Sequence, residues 1–313
     1  MKWDGFRYRL QILWRNKPFL PCLLFLLIIS VAALFAPYVA PYQPDAIDLR
    51  AQFAAPSWNH LLGTDENGRD VLSRLIYGAQ SSLMVGLVAG AISVGLGTLL
   101  GAVAGYFGRH VDSAIMRITD GFMSIPVFFL LLTILTLFGS DLTNIIIVVG
   151  LTSWMRVARI VRSEVLKQRE MDYVLAARSI GTKDTGILWR HILPQTVPVV
   201  IVATTLNIAF AILTESGLSY LGLGVRPPMP SWGNMLASSQ TYLWQSPQLA
   251  IYPGLLITLT VLSFNALGDG VRDLMDPRMR RAPRSETSSL MPRGLGIPLE
   301  HSEATRETVE ETA

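Results

Sequence analysis

Long apolar stretches separated by short charged ones set the architecture of this chain. Residues 18–44, 75–108, 191–214 and 227–268 contain no Asp, Glu, Lys or Arg. A helix of roughly 20 apolar residues crosses about 30 Å of hydrocarbon. The pattern therefore predicts an all-α polytopic membrane protein with six spans, about 19–41, 83–105, 116–138, 143–161, 196–219 and 248–269. The fourth is the shortest. Its uncharged run, Leu142 to Met155, has 14 residues, so Arg156 and Arg159 fall at the interface, stems in lipid and heads among headgroups. A re-entrant or buried helix is the alternative for that segment. The second span carries Gly86, Gly90, Gly97, Gly101 and Gly105. Glycines four apart bare the backbone on one helix face and admit a close neighbour.

The segments between spans have distinct characters. Over 1–18, Phe6, Leu10 and Trp14 recur at fourfold spacing beside Arg7, Arg9 and Arg15, which reads as an amphipathic helix in the headgroup layer. The apolar run that follows is too long for a cleaved signal core, so a retained anchor is expected. Residues 42–82 form a long acidic loop broken by Pro44, Pro56, Gly63 and Gly68. Leu61, Leu62, Val71, Leu72, Leu75 and Ile76 argue that it packs near the membrane. Residues 220–247 form a second such loop. The tail over 279–313 is rich in Arg, Ser, Thr, Glu and Pro without apolar periodicity, and disorder is expected there.

Charge fixes the orientation. With the N-terminus inside, segments 1–18, 106–113, 156–195 and 270–313 hold 21 of the 26 Lys and Arg, whereas 42–82, 139–142 and 220–247 hold 4. This is the positive-inside bias, with both termini cytoplasmic. A sequence pI near 9.1 therefore reflects topology, and no nucleic-acid partner is expected. The charged share of 16% and mean hydropathy of +0.40 agree with membrane residence. The single cysteine, Cys22, rules out an intrachain disulfide.

The inner segment 156–195 is a structured loop held in water between two spans. Arg156, Arg159 and Arg162 continue the fourth helix outward. Asp172 is placed to cap a short helix from Tyr173 to Ile180, on which Tyr173, Ala176, Ala177 and Ile180 share one side. Two alanines in that stripe leave a shallow surface for another protein. Gly181 fits the left-handed C-terminal position. Thr182 or Asp184 is placed to cap a second helix to Leu193, and Pro194 marks entry into the fifth span.

Leu175-Ala176-Ala177, Gly181 and His191-Ile192-Leu193-Pro194 resemble the cytoplasmic loop of importer permeases of the ATP-binding-cassette superfamily. That pattern is Glu-Ala-Ala, three residues, Gly, then Ile-x-Leu-Pro. Leu175 stands in place of the Glu and His191 in place of the Ile. Further segments resemble the second (C-type) permease of oligopeptide, dipeptide and nickel systems: Gly63 through Arg74 with Tyr77-Gly78, Tyr220 through Gly224, Pro227 through Gly233, and Asn265 with Gly268 through Gly270 and Arg272 through Arg278. The resemblance spans about 40–280. It implies a type I importer permease domain over 19–278, paired in a bacterial plasma membrane with a second homologous permease. It also implies two cytosolic ATPases and an extracytoplasmic solute-binding protein. On this resemblance Tyr173, Ala176, Ala177, Arg178, Ile180, Gly181, Asp184 and Pro194 couple to an ATPase. Asp65, Gly68, Arg69, Asp70 and Trp232 lie in loops that meet the binding protein. Peptides are the implied cargo; nickel chelates, glutathione-like molecules and oligosaccharides are the alternatives. A membrane scaffold outside the pore is an alternative of another class.

Site chemistry adds little that is enzymatic. No lysine follows a glycine as in a phosphate-binding loop, so no cofactor is expected on this chain, and ATP-Mg belongs to partner subunits. His60, His110, His191 and His301 show no metal-ligand spacing, so no metal is expected. No catalytic residue is assigned. Two residues of the fifth span, Asn207 and Glu215, are candidates for a path. Asn207 either lines a pore or joins two helices, and Glu215 either holds a cargo amino group or faces water as an interfacial carboxylate. Arg117 and Asp120, three apart, are placed to pair.

Overall fold

The computed structural model describes residues 18–275. The helix expected over 1–18 and the tail expected over 279–313 lie outside the described residues, apart from Pro18. Within them the chain is helical: α1 (Phe19–Leu34), α2 (Ala36–Val39), α3 (Val71–Phe107), α4 (Arg109–Met123), α5 (Val127–Phe138), α6 (Leu142–Arg169), α7 (Asp172–Ser179), α8 (Asp184–Ile187), α9 (Leu193–Tyr220), α10 (Trp232–Ser239) and α11 (Gln248–Met275). Four helical runs are long and apolar enough to cross a membrane, or five if the bent pair α4–α5 counts as one. This is a multi-pass membrane protein.

Helix α3 organises the bundle because its glycines face two neighbours. A Cβ added at Gly97 would meet the Trp154 carbonyl oxygen at 2.7 Å, one at Gly101 the Ala158 oxygen at 2.4 Å, and one at Gly105 the Arg162 oxygen at 2.9 Å. All three oxygens belong to α6, so backbone lies on backbone. Gly86 and Gly90 instead face Ile212 and Ile208 of α9. The glycine pattern thus makes two contact faces, one toward each predicted end, where the sequence suggested one. Three apolar clusters follow the length of the bundle. One surrounds Leu75, Ile212 and Trp232, a second Val85, Ile145 and Leu218, and a third Tyr106, Val161 and Ile187.

Three predicted boundaries are corrected. The third span is not one helix. It breaks between Met123 and Val127 and bends by 78°, because Pro126 has no N–H to donate and disfavours helical backbone at Ile125. The second span begins a dozen residues early, at Val71, where Asp70 caps the helix by accepting from Ser73 N at 2.8 Å. The last part of the predicted loop 42–82 is therefore helix. Finally, α8, a π-helical turn over Leu188–Ile192 and α9 form one continuous run, Asp184–Tyr220. Pro194 lies inside that run, at the first turn of α9. The helix widens just before this ring, which interrupts the hydrogen-bond ladder.

Gly101→Ala is expected to cost about 1–3 kcal/mol, read as a lower melting temperature of the detergent-solubilised protein, since its new methyl meets immovable backbone. Gly95→Ala, with nothing within 4 Å of the added atom, is expected to melt at or slightly above the parent.

Candidate functional site

The predicted outer end is built around buried carboxylates. Asp65 accepts from the backbone N–H of Asn67 and of Arg69 at 2.9 Å, and from Arg69 Nε at 2.7 Å. It also faces Arg74 Nε at 3.4 Å. Asp70 accepts from Ser73 and holds His60 Nδ1 at 3.0 Å. Gly68 turns the chain at φ +73° with its α-carbon against Asp48. Asp65, Gly68 and Asp70 are thus buried inside the loop they were expected to expose, and Arg69 is spent on Asp65 and Glu66. Trp232 is also fully buried. Its Nε1 donates to the Leu75 carbonyl at 3.1 Å, and its indole fills the space between α3 and α9. None of these four buried residues offers a face to another protein. The aromatic surface lies elsewhere, at Trp58 and Trp244, 96% and 99% exposed. No periodicity marks these two tryptophans in the sequence.

Beneath that loop Glu215 is completely buried. Ser219 Oγ lies 2.7 Å and Ser82 Oγ 3.2 Å from its carboxyl oxygens. Ser219 Oγ also accepts from Val225 N, and Trp232 N donates to Ser82 Oγ. The carboxyl group and its hydroxyls therefore tie α3, α9, the following loop and α10 together. Glu215 faces neither water nor a cavity. Asn207 is likewise buried, accepting from Ser93 Oγ at 3.1 Å and donating to Ala203 O at 3.0 Å, so it joins α9 to α3. Unlike Glu215, it also lines a cavity.

That cavity, about 560 Å³, is walled by the α4–α5 break, α6 and α9. Met123, Ile125, Phe128, Met155 and Leu213 make it mostly apolar, with Thr152, Ser153, Asn207 and Thr214 as neutral polar groups. Its one charged lining residue is Arg156, whose guanidinium sits 4.2 Å from the centre of the Phe210 ring. The sequence placed Arg156 at the interface and gave Phe210 no part. On the same helix Arg159 pairs with Asp120 and Arg162 with Asp112, clipping α4 to α6. Asp120 therefore binds across helices, in place of the local pair expected with Arg117.

At the predicted inner end α7 packs through Val174 and Ala177 into the cluster of Tyr106, Val165, Ile187 and Leu188. Ala177 was expected on the outward stripe; the helix turns it inward. Tyr173, Leu175, Ala176, Arg178 and Ile180 face solvent, Ile180 at 83%. Gly181 adopts φ +80°. Its N–H donates to Arg178 O, and Thr182 N–H donates to Ala177 O, which closes the helix as a Schellman motif. Asp172 lies in the first turn of α7, after Met171, and its side chain makes no cap. Asp184 starts α8 and accepts from Tyr106 Oη at 2.6 Å, while Arg178 lies 5.9 Å from the Tyr106 ring. Pro194 is exposed on the continuous helix behind them.

The family described as the binding-protein-dependent transport system inner membrane component matches residues 97–281. The N-terminal transmembrane domain of oligopeptide transport permease C matches residues 6–56. A putative peptide transport system permease protein of Brucella abortus biovar 1 is 40% identical over 268 residues, covering 86% of this chain and 90% of its own. A putative peptide permease protein of Brucella suis biovar 1 is 42% identical over 249 residues, covering 79% and 82%. A glutathione transport system permease protein of Pectobacterium atrosepticum is 39% identical over 258 residues, covering 82% and 86%. Among solved structures, an inward-facing MetNI methionine ABC transporter chain aligns with TM-score 0.55 at 18% identity, over 66% of this chain and 98% of that one. At that identity the likeness is one of fold.

Asp65→Ala is expected to cost about 3–5 kcal/mol, because it strands the buried Arg74 guanidinium. Limited proteolysis should cut within 42–70 far faster than in the parent, with Asp65→Asn in between.

Proposed function

The chain belongs to the family of binding-protein-dependent transport system inner membrane components, and from that premise we propose that it carries di- and oligopeptides inward across a bacterial plasma membrane. It is a transport subunit of an importer, and ATP hydrolysis belongs to partner subunits. The observation that carries this reading is α7: a short helix closed by Gly181, seated on its own protein through Val174 and Ala177, with Tyr173, Leu175, Ala176 and Ile180 turned outward. Such a surface fits a cleft on a cytosolic ATPase. The peptide cargo rests on the relatives that are themselves named for peptide transport. The relative named for glutathione transport extends the same chemistry to a small modified peptide.

The rest of the proposed machine follows. Six spans are α1 with α2, α3, the α4–α5 pair, α6, α9 and α11, with both termini cytoplasmic. The apolar wall at the α4–α5 break meets a second permease, and the cavity beside Arg156 and Asn207 is this chain's share of the path. The loops over 42–70 and 221–247, with Trp58 and Trp244 uppermost, face an extracytoplasmic binding protein. ATP-Mg is held by two ATPase subunits, which reach this chain through α7. Tyr106, Asp184 and Arg178 then pass movement of α7 to α3 and to the long helix Asp184–Tyr220. A nucleotide-driven change requires only that the ATPases bind the two states of the bundle unequally.

Ile180→Asp and Ala176→Trp are expected to strip the ATPase from the purified complex and to abolish peptide uptake, while membrane insertion and melting temperature stay near the parent. Stoichiometric ATPase on Ile180→Asp complexes would overturn the assignment of this face. Val174→Asp, by contrast, is expected to fail as a fold, since it buries a charge among Val165 and Ile187.

A further inference from the structure

Three arginines leave the inner part of α6 at threefold spacing, Arg156, Arg159 and Arg162. Two are matched by carboxylates of α4. The deepest, Arg156, has no carboxylate partner among the described residues. It turns instead to the Phe210 ring and into the cavity. A ring face steadies a guanidinium electrostatically, yet it takes up none of the five N–H donors as a hydrogen-bond acceptor would.

The remaining polar side chains of this wall are neutral and already hydrogen-bonded within the protein. Asn207 bonds Ser93 and Ala203. The hydroxyls of Thr152, Ser153 and Thr214 donate to carbonyls of their own helices. Arg156 is therefore the one lining group with strong hydrogen-bonding capacity to spare. Arg156 is exposed along this cavity, so a solute there can reach its guanidinium, and a cation among mostly apolar groups is best met by an anion or water. A guanidinium whose fork is free matches a carboxylate through two parallel hydrogen bonds.

We propose that Arg156, seated on Phe210, binds the C-terminal carboxylate of the peptide in transit. This rests on the peptide reading above and adds to it a polarity: the cargo is held by its acidic end. It also selects anionic or zwitterionic cargo over neutral cargo. The phosphate of a lipid headgroup offers the same anionic chemistry, and the experiment below separates the two.

The complex of this chain with its second permease, ATPases and binding protein is reconstituted in zwitterionic lipid. Uptake of a pool of di- to pentapeptides with free C-termini is compared with that of the same pool C-terminally amidated. The ratio of parent to variant rates is taken for each pool, so the binding protein's own preference cancels. Arg156→Gln is expected to slow the free-acid pool about tenfold more than the amide pool. Arg156→Lys keeps most of the preference, and Phe210→Leu gives a smaller loss confined to the free acid. Phe210→Leu, which leaves the charge in place, decides the matter where Arg156→Gln does not assemble. Equal effects on both pools overturn the inference. So does a parent-to-variant ratio that follows the anionic lipid content and ignores the peptide terminus, because Arg156 then serves a headgroup. If the parent complex imports neither pool, the peptide reading itself fails.

Discussion

How closely α3 approaches α6 and α9 determines the rest of the bundle. Within a membrane, apolar side chains gain little by leaving lipid for one another, so helix association depends on contact between backbones and on hydrogen bonds. Gly97, Gly101 and Gly105 supply such contact against α6, and Gly86 and Gly90 against α9. With those two neighbours fixed, Ser93 reaches Asn207, Ser82 reaches Glu215, and Tyr106 reaches Asp184. One helix thereby sets the depth of these three polar contacts.

Charge is handled differently along the bundle. At the predicted outer end the carboxylates Asp65 and Asp70 are buried but saturated, each by a backbone N–H and a basic side chain. Just beneath them Glu215 meets only hydroxyls. Toward the inner end Asp112 and Asp120 hold α4 against α6 through arginines. These pairs explain how the broken third segment stays attached although its halves diverge by 78°. The short helix α4 carries the acidic partners, and the bend frees α5 to form a cavity wall.

Much of this was legible from the residues. Uncharged runs pointed to long apolar helices, four or five of which among the described residues are long enough to cross a membrane, because hydrocarbon excludes unpaired charge. Gly181 announced a left-handed turn, and Ala176, Ala177 and Gly181 pointed to the inner helix through their resemblance. Other features were not legible. Pro126 stood within an apolar run whose hydropathy hid the break. The fourfold spacing of Ala177 from Tyr173 did not say which side of α7 would be covered, since Val174 competes for the same core. Trp232 and Asp65 look like surface groups in a loop. Asp65 is buried because its loop folds on itself around carboxylates, and Trp232 because its indole fills the space between α3 and α9, long-range arrangements with no local period. Arg156 and Phe210, 54 positions apart, meet only through the packing of α6 on α9.

The unbroken helical run from Asp184 to Tyr220 has a mechanical meaning. At about 1.5 Å per residue its 37 residues reach about 55 Å. Its foot touches α7 through Ile187 and Leu188, and its head holds Glu215 beneath the opposite surface. A tilt of roughly ten degrees about the foot displaces the head by about 10 Å, and the wider turn at Leu188–Ile192 is the natural fulcrum. A long arm hinged at its foot turns a small rotation beside α7 into a large displacement around Glu215.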